Sequence, residues 1–126
     1  MSGISLKAQR GDAYLSLAEL LFVLGRPLLK LHWKARVSKV AGPEEVAARL
    51  TSVAEEDWLG TFDLLHLVTP DVRIVDGEVT GYDAQGERIL NVRAVDSSWW
   101  DVETDDPEIL QTLSEVYPDG MKLSTM

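Results

Sequence analysis

The sequence predicts an α+β domain in which three or four helices cover one face of a mostly antiparallel sheet of about five strands. Helical periodicity with capping signals appears early and late in the chain, whereas alternating apolar and polar residues with turn signals follow residue 71. The 126 residues, 45% of them hydrophobic, suffice for one core. We expect a single α+β domain over residues 1–120 and a flexible C-terminal tail over residues 121–126.

The first predicted element is a helix over residues 12–24. Asp12 suits its N-cap, Gly25 suits its C-terminal cap, and Pro27 prevents continuation. One side carries apolar residues at helical spacing: Ala13, Leu17, Leu20, Leu21 and Leu24. Because Tyr14, Phe22 and Val23 make the rest apolar too, we expect this helix to be buried on more than one face or to form a dimer contact.

A strand follows at about residues 28–38, where apolar and basic residues alternate with a period of two. Its apolar members are Leu29, Leu31, Trp33, Ala35 and Val37, and its basic face is formed by Lys30, His32, Lys34 and Arg36. Three interpretations stay open. The basic face can pair with an acidic strand that carries Asp101 and Glu103, line a groove for an anion or acidic segment, or protect a sheet edge.

A second helix is predicted from Gly42-Pro43 onward, with Pro43 at its first position. Its apolar stripe consists of Val46, Leu50, Val53 and Ala54. Residues 57–68, DWLGTFDLLHLV, suit a short helix, although residues 64–68 could equally form a buried strand; we favour the helix.

A strand meander is predicted after Asp71. Asp76-Gly77 is typical of a type I′ hairpin turn between Val72–Val75 and Glu78–Tyr82. Residues 83–86 form a second turn, and strands follow at Arg88–Val95 and Trp99–Thr104. The last helix has Asp106 as N-cap and Pro107 at its first position, and it is expected to bury Ile109, Leu110, Leu113 and Val116.

Composition and charge restrict the function. Zero cysteines exclude disulfides, thiolate chemistry and Cys-ligated metals. The net charge of −9 is polarised, because residues before 40 sum to +5 and the rest to −14. This balance disfavours nucleic acid as a partner. The sequence has no apolar run long enough to span a membrane, and we expect a cytoplasmic protein without a metal or other cofactor.

The strongest candidate site is an acidic stretch with two tryptophans, which we interpret as a binding surface for a basic protein partner. Its members are Trp99, Trp100, Asp101, Glu103, Asp105 and Asp106. Neighbouring strand residues point to opposite faces, so one tryptophan is expected in the core and the other outside. The carboxylates would attract the partner electrostatically.

A second candidate is the pair Asp63 and His66, three residues apart on the predicted helix, where an aspartate could orient a histidine as a general base.

Three functions are therefore compatible with the sequence. The sequence favours a small acidic non-enzymatic interaction protein of the adaptor, chaperone or inhibitor type. The alternatives are a ligand-binding or enzymatic pocket using Asp63, His66 and the basic strand, and a self-associating structural protein; a homodimer is compatible with each.

Overall fold

The computed structural model of the protein describes residues 2–53 and 56–123. Its strands are β1 (Ser2–Lys7), β2 (Gln9–Arg10), β3 (Ala13–Tyr14), β4 (His32–Ala41), β5 (Leu59–Gly60), β6 (Arg73–Tyr82), β7 (Arg88–Val95), β8 (Trp99–Thr104) and β9 (Met121–Lys122). Its helices are α1 (Leu17–Leu24), α2 (Glu44–Thr51), α3 (Thr61–Leu67) and α4 (Pro107–Val116), with a 3₁₀ turn at Arg26–Leu28. None of these helices is long and apolar enough to cross a membrane.

The described strands form an antiparallel seven-stranded sheet in the order β5-β4-β6-β7-β8-β1-β9, and β2 and β3 form a separate hairpin. The predicted α+β class with a mostly antiparallel sheet is confirmed. The described part of the chain contains four helices, and its main sheet has seven strands where about five were expected.

The core lies on one face of this sheet. Alternate strand residues bury Leu6, Trp33, Ala35, Val79, Leu90, Val92, Ala94, Trp100 and Val102. The helices add Leu17, Leu20, Leu21, Leu24, Leu50, Leu64, Ile109 and Leu113 to the same cluster. The strand residues of opposite parity form the outer sheet face, which carries most of the sheet's charged side chains.

Helix α1 begins at Leu17, so the prediction of Asp12 as its N-cap is wrong. Gly11, with φ +61°, turns the chain between β2 and β3, and the hydroxyl of Ser16 caps the helix by accepting from the Glu19 amide at 3.1 Å. The predicted apolar stripe is buried from Leu17 onward. Phe22, however, is 79% exposed, so the helix is not buried on its second side there.

Strand β4 begins at His32, four residues later than predicted. Gly25 has φ +62° and Pro27 lies in the 3₁₀ turn that follows it, which delays the extended backbone. Lys30 therefore lies in an exposed turn rather than on the strand face, and Leu29 is 55% exposed. The alternation holds from His32 to Arg36, where Trp33 and Ala35 are buried.

Strand β6 runs without interruption from Arg73 to Tyr82, so the predicted hairpin at Asp76-Gly77 is wrong. The glycine serves a close approach between strands instead. A Cβ atom on Gly77 would lie 2.8 Å from the Cα of Val37 and 3.0 Å from the Arg36 carbonyl oxygen, beside an irregularity in the β4–β6 register.

Residues 57–68 contain the favoured helix, and the alternative strand over residues 64–68 is not formed. The two-residue strand β5 pairs with the start of β4, and α3 follows directly, so the favoured helix is confirmed from Thr61. In the preceding helix α2, Leu50 is buried as predicted. Pro43 is the N-cap rather than the first helical residue. The predicted stripe residue Ala54 lies outside the described residues.

From β7 to the start of α4 the structure follows the sequence prediction closely. Strands β7 and β8 have the predicted bounds, and Asp96 and Ser97 adopt positive φ in the turn between them. Asp106 caps α4 by accepting from the Glu108 amide at 2.9 Å. Val116 has the same helical spacing as Ile109 and Leu113, but it is the last residue of α4 and is 48% exposed, so its predicted burial is wrong.

The predicted tail over residues 121–126 begins with a short strand. Met121 and Lys122 pair with Ser5 and Ile4 of β1, and residues 124–126 lie outside the described part of the chain.

Candidate functional site

The most prominent exposed apolar feature is a groove between α1 and α3, which we call the helix groove. Its two phenylalanines, Phe22 on α1 and Phe62 on α3, are 79% and 69% exposed. Both line a cavity of about 200 Å³ together with Leu29 and Leu65. Phe22 and Leu65 also line a second cavity of about 710 Å³ that extends toward Tyr14, Glu19 and Pro70. The two cavities are therefore neighbours in the helical layer, and we include both in the helix groove.

The wall of the helix groove is fixed by a buried hydrogen-bonded threonine. Thr61 accepts a hydrogen bond from the indole nitrogen of Trp33 at 2.9 Å and donates to the Leu28 carbonyl oxygen. These bonds hold the start of α3 against the core and the 3₁₀ turn. With Thr61 and Leu64 turned inward, Phe62 is left outside, facing the same cavity as Phe22.

The sequence prediction missed this groove. It assigned Phe22 to a second apolar side of α1, either buried or in a dimer contact, and Phe62 to the apolar pattern of residues 57–68. A usable signal was present, because each phenylalanine falls outside the i, i+3, i+4 spacing of its neighbours in the core, Leu17-Leu20-Leu21-Leu24 and Thr61-Leu64.

Tyr14 lines the larger cavity and is partly buried. Burial raises the pKa of its phenol above the ordinary value, and the nearby Arg73 guanidinium, 4.1 Å from the ring centre, opposes that rise. Among the described residues the buried hydroxyl oxygen has no hydrogen-bond partner. A buried hydroxyl without a partner destabilises the folded state, because it has lost its hydrogen bonds to water and has gained none within the protein.

Tyr14→Phe is therefore expected to raise the free energy of unfolding by about 1 kcal/mol at neutral pH. Because the folded pKa is above the unfolded one, the stabilisation linked to the neutral phenol is present below the unfolded pKa of about 10 and is lost as pH rises through the folded pKa. The variant should consequently lose less stability above pH 10. Urea denaturation across pH 7–11 measures both effects.

Tyr82→Phe, on the outer sheet face, controls for the loss of a tyrosine elsewhere. A Tyr14→Phe protein less stable than the parent at pH 7, with an unchanged alkaline slope, would contradict the expectation.

The acidic stretch of β8 does not form one open surface. Trp100 is 1% exposed, and its indole nitrogen donates to the Leu15 carbonyl oxygen at 2.8 Å, so it is a core residue rather than a surface anchor. Trp99 is half-buried on the outer sheet face, opposite Lys7 of β1. One tryptophan is thus in the core and the other outside, as the strand alternation predicted.

The carboxylates of this stretch are engaged within the chain. Asp101 accepts from the Ser5 hydroxyl at 2.8 Å and lies 3.4 Å from the Arg93 guanidinium, and Glu103 lies 3.9 Å from Arg88. Asp105 accepts from the Ser2 amide at 3.3 Å and Asp106 caps α4. The predicted pairing of β8 with the basic strand is wrong, since β6 and β7 separate them.

The basic strand residues His32, Lys34 and Arg36 lie on the outer sheet face. Arg36 is opposite Glu78 of β6, and the Lys34 ammonium lies 4.6 Å from the ring centre of Trp58. Lys34 and Arg36 line a polar cavity of about 170 Å³ on this face. Only His32 and Trp33 of β4 pair with β5, so the strand lies near one edge of the described sheet.

Asp63 and His66 are both exposed on α3. The Asp63 carboxylate accepts from the Gly60 amide at 3.2 Å, which is a helix-capping contact. Because α3 covers the core face, this pair and the basic strand lie on opposite sides of the sheet and line none of the same cavities described above. Within residues 2–53 and 56–123, no three His, Cys, Asp or Glu side chains converge as metal ligands would.

Comparison of the chain with protein-family models, with curated proteins and with solved structures returns no match.

Proposed function

We propose that this is a non-enzymatic interaction protein whose helix groove binds an apolar segment of a protein partner flanked by Lys or Arg residues. The observation that carries the proposal is the pair of exposed phenylalanines, Phe22 and Phe62, on the two sides of one cavity. Aromatic side chains that face solvent around a depression are typical of interface hot spots.

The apolar character of the groove supports docking of a side chain rather than a reaction. Of the described residues that line its two cavities, only Glu19 and Arg26 are charged at neutral pH. The Ser16 hydroxyl there accepts the cap bond of α1. Covering a phenylalanine removes a large apolar area from water, worth about 25 cal/mol for each Å².

The distribution of charge supports a basic partner. The cross-strand registers assign six basic and four acidic residues to the outer sheet face: Lys7, Lys34, Arg36, Lys39, Arg88 and Arg93, with Asp76, Glu78, Asp101 and Glu103. The rest of the chain then holds six basic and seventeen acidic residues, a net charge of −11. Within this remainder the four helices hold six acidic residues and one basic residue, an excess that attracts cationic segments and repels the same layer of a second copy.

The test is selection from a displayed peptide library against the whole protein. We expect enriched peptides to combine apolar residues at helical spacing with flanking Lys or Arg, and to bind less tightly at high salt. Phe22→Ser and Phe62→Ser should each weaken binding about tenfold or more, the loss typical of hot-spot residues. Both side chains are exposed, so the folded structure should be retained.

Val116→Ser is the matched control, because Val116 is a 48% exposed apolar residue on α4 that lines neither cavity of the groove. Selected peptides that bind the two phenylalanine variants as tightly as the parent would contradict the proposed site. Enrichment of acidic peptides would contradict the proposed partner.

A further inference from the structure

We propose that the polar cavity on the outer sheet face, which we call the sheet pocket, binds a small multivalent oxyanion of the phosphate type. The sheet pocket lies on the face opposite the helix groove and is carried by different residues. The inference therefore does not depend on the proposed function.

Positive charge converges on the sheet pocket from two strands. Lys34 and Arg36 of β4 and Arg88 of β7 line the cavity of about 170 Å³; Glu78 is the lining carboxylate, and Glu103 lies 3.9 Å from Arg88. In a chain of net charge −9 such an excess of cations is a local exception. Guanidinium and ammonium groups form charge-assisted hydrogen bonds with oxyanions, which are stronger than bonds between neutral groups.

The floor of the sheet pocket is a hydrogen-bonded polar row. Thr80 donates to the side-chain oxygen of Asn91 at 2.7 Å, and the amide nitrogen of Asn91 donates to Glu78 at 3.3 Å. Asn91 is only 4% exposed, an unusual position for an amide side chain in a sheet. These contacts direct the Glu78 carboxylate toward Asn91 and provide a rigid, polar base under the three cations.

Trp58 contacts the basic cluster through Lys34. Its ring centre lies 4.6 Å from the Lys34 ammonium and 5.3 Å from the Tyr82 ring, which packs against it edge to face. This cation–π contact helps to position the Lys34 side chain, which also lines the sheet pocket. Tyr82 also lines the sheet pocket and offers a phenolic hydroxyl near its edge.

The test uses the whole protein, titrated with sodium phosphate and, in a parallel series, with sodium chloride at equal ionic strength. Calorimetry should show saturable one-to-one binding of phosphate that chloride does not reproduce. The double variant Lys34→Gln/Arg36→Gln should weaken that binding at least about tenfold, the expected loss for removing charge-assisted hydrogen bonds. Phosphate should also change the tryptophan fluorescence, and Trp58→Phe should abolish that signal while calorimetric binding persists.

Lys39→Gln is the matched control, since Lys39 lies on the same strand and sheet face but opposite Asp76 and outside the cavity. Its phosphate binding should equal that of the parent, and Phe22→Ser should leave it unchanged. Binding that does not saturate, that chloride reproduces, or that Lys39→Gln weakens as much as the double variant would overturn the proposal. Unchanged thermal unfolding of the double variant excludes misfolding as the cause of its lost binding.

Discussion

Trp33→Ala is expected to lower the free energy of unfolding by about 3–5 kcal/mol, the range for truncating a large buried aromatic side chain. Trp33 is 0% exposed at the centre of the core, and its indole nitrogen donates to Thr61, which positions α3. Since domains of this size are stable by only about 5–15 kcal/mol, the variant should be close to unfolded at 37 °C. Urea denaturation followed by circular dichroism measures the difference.

Two further variants separate the causes of that loss. Trp33→Phe keeps most of the ring volume but removes the donor to Thr61, so it should cost about 1 kcal/mol for the hydrogen bond alone, in addition to any packing loss. Trp99→Ala removes the half-buried indole of the outer sheet face and should destabilise the protein clearly less. Equal losses for Trp33→Ala and Trp99→Ala would be inconsistent with the described core.

Gly77→Ala is expected to destabilise the protein by about 1–3 kcal/mol, the usual cost of forcing an extra group into a packed site. The new Cβ atom would lie 2.8 Å from the Val37 Cα, and a backbone atom on a paired strand does not move aside easily. Local separation of β4 from β6 should accompany the loss. Hydrogen exchange of the Val37 and Gly77 amides would detect it as faster exchange.

Asparagine variants distinguish this strand position from the hairpin turn that the dipeptide suggests. In a turn with positive φ, Gly77→Asn would be well tolerated, because asparagine adopts left-handed conformations more readily than other residues. In a strand it should be at least as damaging as Gly77→Ala. Gly86→Asn is the matched control, since Gly86 has φ +79° and a Cβ there would meet no atom within 4 Å. A tolerated Gly77→Asn would support the hairpin over the continuous strand.

The elements that local sequence predicts well are those whose determinants lie within a few residues. The turn at Asp96–Ser98 limits both β7 and β8, and Asp106-Pro107 defines the start of α4 through a side-chain cap and a compatible ring. Each signal acts on the backbone beside it. The predicted and observed bounds of these strands therefore agree.

Asp76-Gly77 shows why other elements were not predictable. An Asp-Gly dipeptide fits a hairpin turn, and its glycine also fits a strand position where two backbones approach closely, so the dipeptide alone does not distinguish the two structures. The choice depends on Val37, forty residues away, and thus on the packing of the whole sheet. The start of α1 was missed for a related reason, because the pairing of β2 with β3 competes with helix for Ala13 and Tyr14.

The candidate sites were also predictable only in part: the patterns within single elements are visible in the sequence, but the way the elements come together is not. The alternation that defines the basic strand is visible in the sequence from His32 to Arg36, but the strand order that places Arg88 rather than Asp101 near it is not. Likewise, the apolar stripes of α1 and α3 can be recognised in the sequence. The cavity between Phe22 and Phe62, however, depends on how the two helices pack in the folded structure.

The position of β1 has a kinetic consequence. This strand lies between β8 and β9, and its partners begin about a hundred residues later, as in the pairing of Ser2 with Thr104. Strands β6, β7 and β8 are joined by short turns and can assemble early, whereas β1 must wait for both C-terminal strands to be synthesised. During translation we therefore expect Ile4 and Leu6 to gain their strand partners only when almost the entire described chain has left the ribosome.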